Sequence, residues 1–295
     1  MSSGGTGAMH ETTAGWDVAS VSSVHEVEIG DPDGVVLELN GGQGRIVLRQ
    51  DAFDSEVFER KIGRIAEARA SSTADHMLLL RSLAEEAKAK GFSQLLRRTG
   101  GAERVEAWAL ERVGFELMDI GVTFGRRLGG IISPPVRDDI IVRVATEADI
   151  AAIVNGMMHL PWGSRYESDP TYTPEQVQHL RTRWLWNSYR GRAAAVLVGE
   201  IEGQAAGFVT CVLDESASTG DIDLVGTLPS FRSRGVASHL VAHALAWFSS
   251  HCRFVTVRTQ ATNTAAAGVY ERAGFTLHSS DITFRLNLDK SAVVA

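Results

Sequence analysis

Cysteine is almost missing from this chain: its 295 residues hold two, Cys211 and Cys252. Two thiols cannot build the disulfide framework of a secreted scaffold, which points to a reducing, cytoplasmic home. Long apolar runs are lacking as well, and none approaches the ~20 residues that cross a bilayer. The opening MSSGGTGAMHETTAG has no charged-then-apolar layout of a secretory signal. A basic excess is also absent. Twenty-nine Lys and Arg against 36 Asp and Glu leave a formal charge of −7, the reverse of the basic face that a nucleic-acid partner requires. What the chain does have is 44% apolar residues, enough for a large core in one large domain or two smaller ones. The expectation is an intracellular enzyme with neither a membrane nor a nucleic acid as partner.

Residues 1–20 are rich in Ser, Gly and Thr and read as a disordered tail. The paired glycines and prolines of GGIISPPVRDD, 129–139, interrupt any regular element. They divide the chain into an amino-terminal domain, 21–130, and a carboxy-terminal domain, 138–290. The two are repeats of each other. ERVGFELMDIGVTF (111–124) lies over ERAGFTLHSSDITF (271–284) at an offset of 160, and the same offset brings Arg98-Thr99 onto Arg258-Thr259. Both copies read helix, strand, helix, strand, as expected of an α/β or α+β unit. In the carboxy-terminal copy the pattern predicts helices from Glu147 to about His159, over 173–189, over 234–250 and from Thr264 to Arg272. It predicts strands over 140–144, 220–228, 254–259 and 274–288, with a two-strand segment, 193–215, turning at Glu202-Gly203.

The copies differ where chemistry would sit. Arg232, Gly235, Asn263 and Tyr270 align with Ser72, Asp75, Glu103 and Leu110. The first copy is therefore expected to be a packing partner without an active site of its own. In the second, Arg232-Ser233-Arg234-Gly235-Val236-Ala237 stands where a strand hands over to a helix. Unpaired amides at a helix start carry the positive end of its dipole and suit a pyrophosphate, and Gly235 and Ala237 keep side chains out of the way. Arg232 and Arg234 add permanent charge.

This loop and the block Asn263-Thr-Ala-Ala-Ala-Gly-Val-Tyr270-Glu-Arg-Ala-Gly274-Phe275 resemble the GNAT superfamily of acetyl-CoA-dependent N-acetyltransferases. IIVRVATEADIAAIV looks like that family's first strand and helix, so the resemblance covers about 140–288. Ser164-Arg165-Tyr166, the Trp-rich helix over 173–189, the run from Thr259 to Ala266, and Asp54-Ser55-Glu56-Val57-Phe58 further resemble the bacterial dTDP-fucosamine acetyltransferases. Those enzymes acetylate the amine of a dTDP-linked amino-deoxy sugar and carry a cofactor-free domain ahead of the GNAT domain. The implied architecture is two GNAT-like α/β domains, the first degenerate, the second a mixed sheet with flanking helices and a CoA cleft. The implied partner is a small-molecule amine, here a dTDP-amino sugar, and a homodimer is allowed for.

The resemblance further implies that acetyl-CoA lies along the third strand of the second domain, with pantetheine pairing near Val225 and Thr227. Tyr270 would return a proton to the leaving thiolate, the alternative being a core tyrosine. Asn263 would touch the cofactor or cap a helix, two compatible roles. Arg165 would face the acceptor's diphosphate, while Tyr166, Trp184 or Trp186 would stack on thymine or simply pack a helix. Asp221, Asp223 and a water all remain open as general base. His239 and His243, one turn apart, find no third ligand in the sequence and are expected on the surface, so no metal is assigned. Two rivals stay open: the same chemistry on a free amine, such as an amino sugar, a polyamine or a mycothiol-type precursor, and a non-catalytic CoA-binding protein.

Overall fold

The computed structural model describes residues 24–27, 31, 34–39, 41–157, 164–214, 216 and 218–289. The expected tail, 1–20, lies outside them. Through the first half run β1 (Val24–Glu26), β2 (Val35–Leu39), β3 (Gly44–Gln50), α1 (Ala52–Phe58), β4 (Ile62–Ala70), α2 (Thr73–Ala89), β5 (Gln94–Gly100), α3 (Arg104–Val113) and β6 (Glu116–Arg127). The second half follows with β7 (Ile141–Val144), α4 (Glu147–Met157), α5 (Arg165–Ser168), α6 (Pro174–Asn187), β8 (Ala195–Ile201), β9 (Gln204–Asp214), β10 (Thr219–Thr227), α7 (Val236–Phe248), β11 (Phe254–Gln260), α8 (Thr264–Arg272) and β12 (Thr276–Asn287). Among the described residues no helix is long and apolar enough to cross a membrane.

Local chemistry accounts for the boundaries. Thr173 caps α6, its side chain accepting from the Gln176 amide, and Pro174 occupies the first turn. The turn between β8 and β9 sits on Glu202 and Gly203, both at positive φ (51° and 76°), as a two-residue hairpin with right-handed strand twist needs. The offset of 160 carries through the elements themselves: β6 spans 116–127 and β12 spans 276–287. Gly114 and Gly274 both end their helices in the left-handed region, at φ 99° and 79°.

The sheet reads β1-β2-β3-β4-β5-β12-β6-β11-β10-β9-β8-β7. Each half gives its last strand to the other. β6 leaves the first half to pair antiparallel with β11, and β12 leaves the second to pair antiparallel with β5. The two exchanged strands pair with each other at the centre. The side chains follow. Phe124, from the first half, is buried in the core beneath α7 and α8, beside Leu240, Val257 and Tyr270. Phe284, its counterpart 160 residues on, is buried with Leu79, Leu83 and Phe92 of the first half. A further cluster joins Val57 and Phe58 of α1 to Tyr166, Tyr172 and Leu180 of the second half. The first copy is thus more than a packing partner, since neither core closes without a strand from the other half.

Removing a buried Phe side chain costs about 3–5 kcal/mol. Phe284→Ala should therefore destabilise the chain by about that amount and speed hydrogen exchange over α2 and β5, nearly 200 residues away in sequence. Faster exchange confined to 254–287 would contradict the strand exchange.

Candidate functional site

β10 pairs with β11 only through Thr219–Ile222 against Phe254–Val257 and then departs from it. Its register with β9 shifts between Ile222 and Val225, and the Leu224 amide displaced by that bulge donates to Thr210 Oγ1 at 2.9 Å. Beyond the bulge, the Leu228 amide donates to Ala206 and the Gly226 carbonyl lies against Gly207, both on the β9 side. By the alternation of an antiparallel ladder, Val225 and Thr227 turn their backbone groups the other way, into the opening beside β11. Thr227 Oγ1 is buried there with no hydrogen-bond partner among the described residues. Amides and an orphan hydroxyl along an open strand edge are groups that a pantetheine arm would satisfy.

Below this edge the chain turns through Arg232 to Gly235 into α7. Ser233 and Gly235 both take positive φ, 61° and 82°, which folds the loop back so that the first-turn amides of α7 face outward. Arg232, Ser233, Gly235, Val236 and Ala237 line the cleft; the Val236 side chain itself is buried in the core. Arg234 is placed apart from the other loop residues. Its guanidinium lies over the Phe231 ring, 5.8 Å from the centroid, and the residue does not line the cleft. Arg137, from the link between the halves, braces the loop by donating to the Arg234 carbonyl at 3.0 Å. A Cβ on Gly235 would come within 2.7 Å of that guanidinium.

Tyr270, on α8, is buried with its ring 5.9 Å from Phe124 and lines the same cleft. Burial, reinforced by the charge of Asp221, pushes its phenol up to about 12. Asn263 caps α8: Oδ1 accepts from the Ala266 amide at 3.2 Å and Nδ2 donates to Thr259 at 3.1 Å. Asp221 lines the cleft and accepts from Thr256 Oγ1 at 2.6 Å. Burial holds its carboxyl above the ordinary range; the Thr256 hydrogen bond opposes this and neighbouring Asp223 adds to it. Asp223, by contrast, is paired with Arg192. His239 is not at the surface as expected. It is buried, with its ring 4.6 Å from that of His243, which approaches the Pro135 carbonyl in the link. Among the described residues no group of three His, Cys, Asp or Glu could hold a metal.

The cleft, about 1650 Å³, extends past this pair onto the first half. Arg165 and Tyr166 both reach it, and Tyr166 follows the packing alternative. Its ring is enclosed by Phe58, Tyr172 and Trp184, with the Arg165 guanidinium 4.3 Å from its centroid. Its hydroxyl donates to Asp54 Oδ2 at 2.8 Å. Trp184 lines the cleft, whereas Trp186 packs edge-on against Tyr189 away from it. Sequence reasoning missed Asp51, Asp54, Arg64 and Arg98, which the first half contributes. Two signals pointed to them: the repeat had already set Arg98 on Arg258, and Asp54 opens the motif at 54–58.

Residues 154–275 match the acetyltransferase (GNAT) family model. The spore coat polysaccharide biosynthesis protein SpsD of Bacillus subtilis is 30% identical over 118 residues, 40% of this chain and 40% of that protein. The chain thus spans about two fifths of that relative's length. A GCN5-related N-acetyltransferase from Sphaerobacter thermophilus superposes with a TM-score of 0.62 at 15% identity, over 89% of this chain and 82% of the other. A tandem GNAT protein from the clavulanic acid biosynthesis pathway gives 0.58 at 13%, over 88% and 85%. The fold is the GNAT fold, present here in two copies.

Gly235→Val would place a branched side chain at a strained φ and against Arg137. Coenzyme A binding, read by calorimetry, should weaken roughly tenfold or more, about 1.4 kcal/mol, while the circular dichroism spectrum holds. Unchanged affinity would remove the loop from the binding site.

Proposed function

We propose that this chain, of the GNAT fold and with a GNAT-family segment at 154–275, is an acetyl-CoA-dependent N-acetyltransferase acting on a nucleotide-linked amino sugar. The observation that carries the reading is the opening between β10 and β11, which joins outward-facing backbone groups, a helix start behind left-handed Gly235, and the Asp221–Tyr270 pair in one cleft. The diphosphate of acetyl-CoA would rest on the amides of Gly235–Ala237 with Arg232 beside it. Pantetheine would run along Val225 and Thr227.

The acceptor amine must be neutral to attack. Asp221 is the base we assign, because it is half-buried in the cleft, carries no ion pair among the described residues and has its carboxyl held above the ordinary range, while Asp223 is committed to Arg192. The amine nitrogen bonds to the thioester carbon, and the oxyanion that forms meets the Val225 amide, a kind of donor worth ~2.7–4 kcal/mol. The C–S bond then breaks, and the sulfur takes the Tyr270 proton. The two steps are coupled. The Asp221 charge is one of the two causes that keep the Tyr270 phenol protonated. When Asp221 takes up the amine's proton that charge vanishes, and Tyr270 becomes a better acid as the thiolate departs. Asn263 acts through position, locking the start of α8 against β11.

A nucleotide-linked sugar is favoured by the size of the cleft, by the arginines on its far wall and by the polysaccharide-biosynthesis role named for SpsD. Arg165 would face the acceptor's diphosphate and Trp184 would lie against its base.

Tyr270→Phe should lower turnover roughly 10²–10⁴-fold while acetyl-CoA affinity holds; unchanged turnover would remove the assignment. With Asp221 as base, kcat/KM should fall as pH drops through a value above the ordinary carboxylate pKa of about 4. That acid limb should disappear in Asp221→Asn along with most of the rate, and a limb that persists in the variant would contradict the role. The acceptor class is tested by thiol release from acetyl-CoA across dTDP-amino sugars, free amino sugars and polyamines. Turnover with the first group alone is expected, turnover only with free amines would overturn the acceptor, and release with none would favour a CoA-binding protein without catalysis.

A further inference from the structure

At the centre of the sheet four strands from the two halves lie side by side: β5, β12, β6 and β11. Register places Arg98 opposite Thr283, Thr283 opposite Asp119, and Arg258 opposite Thr123. Directly opposed residues share a face, so Arg98, Asp119, Asp281 and Arg258 lie on one face, and Arg98, Asp119 and Arg258 line the cleft. Gly121 makes this geometry achievable. A Cβ there would lie 2.0 Å from Arg258 Nη2, so its absence lets the Arg258 guanidinium cross β6 and reach Asp281 on β12.

Arg258 then takes both oxygens of Asp281, Nε to Oδ2 at 2.8 Å and Nη2 to Oδ1 at 2.7 Å, and also donates to Asp119 at 3.0 Å. Arg98 approaches the same Asp281 from the other side but reaches it only through Nε, at 3.5 Å. Its Nη groups have no acceptor among the described residues. Across the cleft, Arg165 spends one nitrogen on the Tyr166 hydroxyl and stands 3.9 Å from Asp54. The Asp54 carboxylate is already shared, accepting from Tyr166 and lying 4.0 Å from Arg64. Burial lowers the Arg98 pKa, and Arg258, Arg165 and Arg64 press it down further against the opposing pull of Asp281. Arg98 thus shares its carboxylate, Asp281, with Arg258, which holds it more closely. Both Arg98 and Arg165 line the cleft that begins at the CoA loop.

We infer that Arg98 of the first half and Arg165 of the second form a two-sided clamp for the acceptor's diphosphate. The inference rests on the nucleotide-linked reading above and adds a residue and a half of the molecule to it. Two guanidinium forks facing one anion can each bond it bidentately, a geometry that lysine cannot reproduce. β5 stands three strand spacings from β11, about 14 Å, which leaves room for a sugar ring between the clamped phosphates and an amine at the thioester. The otherwise cofactor-free first copy thereby sets acceptor specificity.

The test is calorimetry on the full chain saturated with coenzyme A, so that the loop at 232–237 is filled, with inorganic pyrophosphate, dTDP and thymidine as probes. Pyrophosphate and dTDP should bind, dTDP the tighter, and thymidine far more weakly. Arg98→Ala should weaken pyrophosphate and dTDP by roughly 10- to 100-fold, with coenzyme A affinity moved less than twofold as the check on folding. Arg98→Lys, which keeps the charge without the fork, should fall between wild type and alanine and serves as the test if the alanine chain loses coenzyme A. Affinities for pyrophosphate and dTDP that Arg98→Ala leaves unchanged would overturn the clamp while leaving the nucleotide-sugar reading in place. Arg98-dependent pyrophosphate binding with dTDP no tighter would support the clamp and remove the nucleotide. No binding of either probe by wild type would overturn the clamp, and the acceptor panel would then decide the reading by itself.

Discussion

The pairing of β6 with both β11 and β12 is the constraint on which the rest of the structure depends. Because each half completes its sheet with the other's last strand, the seam lies at the centre of the molecule and not at an interface between finished domains. Apolar burial fixes it: Phe124 and Phe284 each sit in the opposite core, and a one-residue slip would turn both to the wrong face. The polar side of the same strands is thereby fixed as well, and that side is the floor of the cleft.

The two ends of the cleft are built by different means. At the end proposed for the donor the groups belong to the backbone: a strand edge freed by a bulge and a helix start freed by two residues at positive φ. Such groups keep their direction when side chains move, which suits a ligand recognised through its diphosphate and amide chain. At the end proposed for the acceptor the groups are arginines and aspartates from both halves, held by shared carboxylates. Tyr270 and Asp221 stand between the two ends. Tyr270 is backed by Phe124, so a strand from the first half supports the residue assigned as acid in the second.

The elements were largely legible in the sequence. The capping Thr173, the Glu202-Gly203 turn and the helix from Thr264 to Arg272 are local features, and local chemistry decides them. The offset of 160 was legible too, but not what it means in space. Nothing in ERVGFELMDIGVTF says which sheet its strand joins, because both copies bury the same apolar pattern. His239 went astray for a related reason. It has the right residue type for an exposed helix face, yet the link at 135–140, distant in sequence, settles where its side chain lies. Arg98 was visible as half of a repeat match, but its proposed role depends on Asp281, which the strand exchange alone brings near it.

The central claim is that donor and acceptor meet over Asp221 and Tyr270 in a single cleft that both halves line. A crystal structure of the chain with coenzyme A and a dTDP-sugar lacking the reactive amine tests it most directly. The account predicts the coenzyme A diphosphate on the amides of Gly235–Ala237, its sulfur beside Tyr270, and the sugar nucleotide reaching back to the first half. Coenzyme A seated away from α7, or a sugar nucleotide held by the second half alone, would contradict it.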